Sequence, residues 1–126
     1  MRVLLVEDTP MWQQAVSALL ATDSAFELVG VEDHFEGAVA AYARLKPDWA
    51  LLDFEIRNLD PGLVKDGVAV GHALMNAGHD PARLVLVTSA SPDDIPVHPF
   101  HYLPKTALAA QLLPLLHSAL TASSRH

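Results

Sequence analysis

The chain has 126 residues, which suits one domain, and 51% of them are apolar, enough for a core without staples. It has no cysteine, which excludes a disulfide framework and a thiolate metal site and fits a reducing compartment. With 8 basic residues against 15 acidic ones and a net charge of −7, direct nucleic-acid binding is not expected, because that affinity is drawn from Lys and Arg on phosphates.

In chain order, the first apolar run is Arg2–Val6, ending at Glu7 and Asp8. It leads straight from Met1 into a strand, unlike a cleavable signal peptide. Thr9 followed by Pro10 reads as an N-cap with proline at the first helical position, opening a helix from about Met11 to Ala21. A second run covers Phe26–Val31, and a helix from about Glu36 to Leu45 stops before Pro47. Trp49–Leu52 is the third run, closed by Asp53. Asp66 can cap a helix from about Gly67 to Ala77, with Gly78 as its stop. Leu84–Val87 and the weaker Phe100–Leu103 are the last two runs. Thr106 can cap a final helix, about Ala107 to Ala122, in which Pro114 should produce a kink or fraying.

Short continuous apolar runs suit strands buried on both faces of a parallel sheet. Their strict alternation with helices argues a doubly wound α/β fold, whose ligands sit at the carboxyl ends of the strands. No apolar run approaches the roughly 20 residues that span a bilayer. The chain is read as one cytoplasmic domain, residues 1–122, with a polar tail over 123–126.

Glu7 and Asp8 end the first strand and Asp53 ends the third. If these strands are neighbours, three carboxylates converge. Two charges about 4 Å apart repel by about 4 kcal/mol at an effective dielectric near 20, so the group calls for a proton or a cation. Oxygen ligands without His or Cys favour a hard cation, Mg²⁺ before Ca²⁺ or Zn²⁺. Taken alone, an acidic pair after a strand is more often a solvated rim. Thr88 after the fourth strand and Lys105 after the fifth add a hydroxyl and an ammonium able to hold phosphate oxygens. The chemistry is then attack by the Asp53 carboxylate on phosphorus, giving an acyl phosphate.

The ordered stretches Val3–Asp8 (VLLVED), Trp49–Asp53 (WALLD), Asp66–Gly67, Leu86–Ala90 (LVTSA) and Tyr102–Lys105 (YLPK) resemble the receiver domain of two-component response regulators. The resemblance implies a flavodoxin-like five-stranded parallel sheet of order 2-1-3-4-5. It implies that Asp53 is the phosphoacceptor, that Asp8 binds Mg²⁺ directly and Glu7 through water, and that the backbone carbonyl of Glu55 is a further ligand. Thr88 and Lys105 would hold the phosphoryl group, and Tyr102 would be the aromatic switch. The donor would be a sensor histidine kinase or a phosphotransfer protein. As a stand-alone receiver, the chain would pass its signal to a downstream protein, with no direct nucleic-acid or membrane contact.

Two stretches depart from the family. Glu55 to Lys65 is longer than usual and contains Pro61–Gly62. Ser91–Phe100 (SPDDIPVHPF) is shorter than usual, and its three prolines should leave the family's fourth helix short or missing. That changes the usual output face, built from the fourth helix, fifth strand and last helix. Thr106 also stands where a proline often follows the lysine. These departures motivate an alternative, a receiver-like interaction module working without phosphorylation. A phosphatase of the haloacid-dehalogenase type fits less well, since Glu55 stands where those enzymes carry a second Asp.

Among other residues, His98, His101 and His72 are read as structural or exposed, and Trp49 as packing. Trp12 is placed near the metal site. The stripe Leu112, Leu113, Leu116, Leu120 is either core or a partner face, including that of a homodimer.

Overall fold

The structure, a computed structural model, describes residues 1–56 and 66–123, with 119–123 by backbone alone. Five strands, β1 (Arg2–Val6), β2 (Glu27–Glu32), β3 (Trp49–Leu52), β4 (Leu84–Thr88) and β5 (His101–Pro104), form one parallel sheet in the order β2-β1-β3-β4-β5. The helices are α1 (Pro10–Ala21), α2 (Phe35–Leu45), α3 (Gly67–Asn76) and α4 (Leu108–Ser123). The expected order 2-1-3-4-5 is thus the observed one.

Alternation along the central strands builds two cores. Val3, Leu5, Trp49, Leu51, Val85 and Val87 face one side and pack with Val16 and Leu20 of α1 and Leu108, Leu112 and Leu116 of α4. Leu4, Val6, Ala50, Leu52, Leu84 and Leu86 face the other and pack with Ala38 and Ala41 of α2 and Val68, Val70 and Leu74 of α3. A strand presents successive side chains to opposite faces, so covering both faces needs apolar residues at every position. This resolves the leucine stripe: Leu112 and Leu116 are wholly buried, and Leu113 packs against the same core, while the Leu120 side chain lies outside those described.

The helix ends refine the sequence reading. The Asp66 carboxylate accepts a hydrogen bond from the Ala69 N–H at 2.9 Å, a true N-cap. Gly78 follows α3 with φ +101°, a conformation open to glycine without steric penalty. Thr9 caps α1 through its backbone only: its carbonyl accepts from Trp12 and Gln13, while its hydroxyl turns to Asp8. Thr106 does not cap α4. It lies inside a 3₁₀ turn, Lys105–Ala107, that leads directly from β5 into α4. α4 continues through Pro114.

The β4–β5 crossover contains a single 3₁₀ turn, Pro92–Asp94, where the prolines were expected to prevent a regular helix. Phe100 closes this crossover with its ring in the α3-side core, and the His98 ring stacks on it at 5.2 Å. His72 of α3 lies 5.5 Å from the same ring, and the His101 ring donates from Nε2 to the Ala82 carbonyl at 3.1 Å, so all three histidines have structural surroundings. The long 57–65 segment lies outside the described residues.

Candidate functional site

β1 and β3 are adjacent, so their carboxyl ends bring Glu7, Asp8 and Asp53 together. One oxygen from each of the three lies within 4.8 Å of the others. Thr88 and Lys105 arrive from the ends of β4 and β5. The residues line a cleft of about 430 Å³ whose walls include Asp8, Asp53, Glu55, Thr88 and Lys105.

Lys105 is the electrostatic centre. Its ammonium lies 2.9 Å from an oxygen of Asp53 and 2.9 Å from an oxygen of Glu7, and all three residues are buried. A buried ammonium is tolerated only when paired in this way. Three carboxylates against one ammonium leave two negative charges uncompensated when all are ionised. Burial pushes the Glu7 carboxyl above its ordinary range, and the Asp53 charge adds to that, against the pull of Lys105 and of the Thr9 N–H. Burial works against the Lys105 ammonium, but its bonds to Glu7 and Asp53 outweigh this and hold the amine above its ordinary value.

The remaining expected residues divide into two groups. The Glu55 N–H lies 3.4 Å from an Asp53 oxygen, and the residue, exposed, lines the cleft. The Thr88 hydroxyl accepts from the Ala90 N–H at 3.1 Å at the cleft wall. Tyr102 is set apart: half-buried, it donates its hydroxyl to the Ala90 carbonyl at 2.8 Å. Ala90 is therefore held through its N–H by Thr88 and through its carbonyl by Tyr102.

The structure adds partners that residue type alone did not single out. The Gln13 amide donates to the Glu7 carbonyl at 2.7 Å, tying α1 to the end of β1. Gly67 begins α3 against the acidic loop: its N–H donates to the Phe54 carbonyl, and a Cβ there would sit 2.0 Å from the Asp53 carbonyl oxygen. The sequence signal for it was the Asp66–Gly67 pair, read there as a helix start. Trp12, expected near the site, lines the cleft with its ring centroid 5.1 Å from the Lys105 ammonium. Trp49 is buried in packing, with the Arg83 guanidinium 5.3 Å from its ring centroid.

The donor set fits a hard divalent cation. It is all oxygen, and its uncompensated charge is that of one such ion. Among the described residues, no helix is long and apolar enough to cross a membrane.

No protein-family model matches the chain. It is 44% identical over 59 residues to protein-glutamate methylesterase/protein-glutamine glutaminase 2 of Cereibacter sphaeroides, a match covering 47% of this chain and 16% of that protein. It superposes on the BeF₃-activated N-terminal receiver domain of Klebsiella pneumoniae RstA with a TM-score of 0.78 and 29% identity, over 95% of this chain and 98% of that one. The response regulatory domain of mrkE from Klebsiella pneumoniae gives a TM-score of 0.78 and 26% identity, over 100% of both chains. Fold, strand order and these likenesses together make the chain a receiver domain of the response-regulator type.

Proposed function

We propose that this receiver domain, residues 1–122, accepts a phosphoryl group on Asp53 from a phosphohistidine, in the cytoplasm, as a signal relay. The observation that carries the reading is the Lys105 ammonium bridging Asp53 and Glu7 beside Asp8. Asp8, Asp53 and the Glu55 carbonyl would hold Mg²⁺, with Glu7 acting through water. When bound, the ion neutralises charge that develops on the phosphoryl oxygens.

Asp53 supplies the nucleophile. One of its carboxylate oxygens forms a bond to phosphorus as the bond from phosphorus to the imidazole nitrogen of the donor breaks. The electron pair leaves with that nitrogen, and the proton carried on the donor's other ring nitrogen makes the product neutral imidazole. Lys105 moves its hydrogen bond from the carboxylate to a phosphoryl oxygen, and Thr88 exchanges its bond with Ala90 for another. Because Tyr102 holds the carbonyl of the same residue, Ala90, that exchange reaches the β4–β5 crossover. A donor kinase or phosphotransfer protein and a downstream protein target follow from this reading, with self-association as a further route of output. The match to the methylesterase covers a small part of that enzyme, so its ester chemistry is not carried over.

A second reading is favoured by one observation, the 3₁₀ turn standing where a crossover helix would provide the output face. In that reading the chain is an interaction module independent of phosphorylation. Incubation with Mg²⁺ and acetyl phosphate, followed by intact mass beside an Asp53→Asn control, separates the two. A single phosphoryl adduct on wild type and none on the control is expected. No adduct, together with no Mg²⁺ binding, would establish the module.

A further inference from the structure

The walls of the cleft are polar except at Trp12 and Ile56. Trp12 is fixed there by the first turn of α1: its N–H donates to the Thr9 carbonyl at 3.1 Å, immediately after the acidic pair. Its neighbour Met11 is 63% exposed, while Trp12 is half-buried and packs against the α1-side core. Its ring centroid is 5.1 Å from the Lys105 ammonium.

That ammonium already has two carboxylates at 2.9 Å, so the ring is not needed to neutralise it. Two effects of the ring remain. Its face attracts the ammonium without competing for its protons, which keeps Lys105 within reach as charge moves from Asp53 onto a phosphoryl group. Its apolar body also closes a side of the cleft that a polar residue would leave wet.

We propose that Trp12 is a positioning residue that sets the lifetime of the acyl phosphate, by retaining Lys105 on the phosphoryl group and excluding water. The inference rests on the phosphoacceptor reading of Asp53. In the hydrolysis it slows, a water oxygen bonds to phosphorus as the phosphorus–oxygen bond to Asp53 breaks. The electron pair returns to the Asp53 carboxylate, and the departing inorganic phosphate keeps both protons of the water.

The test compares wild type with Trp12→Ala, Trp12→Leu and Trp12→Phe. Each is loaded with acetyl phosphate and Mg²⁺, freed of donor by rapid desalting, and followed by intact mass. Loading rates and thermal midpoints are recorded alongside. Trp12→Ala should lose its adduct about three- to ten-fold faster than wild type. Trp12→Phe should restore the lifetime to within about two-fold, because it keeps an aromatic face, and Trp12→Leu should restore it only in part. A merely structural role would lower the melting temperature without this order of rescue. An adduct on wild type and Trp12→Ala with equal lifetimes overturns this inference alone. No adduct on wild type overturns the phosphoacceptor reading and this inference with it.

Discussion

Replacing Lys105 by Met keeps much of the side-chain volume and deletes the charge. At 2.9 Å and an effective dielectric near 20, each lost pairing with Asp53 or Glu7 corresponds to about 6 kcal/mol of Coulomb energy. The protein will not lose that much, because Glu7 can take up a proton instead. Protonating a carboxyl of ordinary value 4.5 at pH 7 costs about 3 kcal/mol, which sets the expected destabilisation and matches the usual cost of breaking a buried pair. At pH 5 the same protonation costs only about 1 kcal/mol. The sign follows from the native shifts. Glu7 is raised, so its contribution is present below its ordinary value and lost as pH rises through the native one, and deleting Lys105 moves that native value higher. Lys105 is also raised, so in wild type its contribution is complete below 10.5 and lost only as pH rises through its native value. Urea melts of both proteins at pH 7 and pH 5 measure the difference. A loss at pH 7 below about 0.5 kcal/mol, or one equal at both pH values, would refute this account of the ion triad.

Two further outcomes are expected. Mg²⁺ at about 100 times its dissociation constant should stabilise the fold by about 2.7 kcal/mol in urea melts, and Asp8→Asn should remove most of that gain. Gly67→Ala should cost about 1–3 kcal/mol and weaken Mg²⁺ binding with it, because the new methyl meets the Asp53 carbonyl oxygen and forces the acidic loop to shift; a neutral effect on both would show that α3 is not packed against the site as described.

The strands were legible because a doubly covered sheet demands unbroken apolar runs, and Arg2–Val6 and Trp49–Leu52 have the same bounds in sequence and structure. β2 and β5 begin one residue later than the apolar pattern, because Phe26 and Phe100 are apolar for packing and not for strand pairing. The proline spacing of Ser91–Phe100 excluded a regular helix by local sterics alone. The Thr106 cap failed because its residue type is also suited to a tight turn, and the short distance from β5 to α4 leaves no room for a separate cap.

At the site, the sequence by itself determined which residues end the strands, since the pattern that buries a strand also marks where its acids and hydroxyls begin. Only the tertiary structure decided how they pair. Lys105 is shared between Glu7 and Asp53, Tyr102 and Thr88 hold one residue, Ala90, and Trp12 faces the ammonium. These contacts join residues far apart in the chain, and their distances are set by strand register and helix packing, which no local pattern encodes.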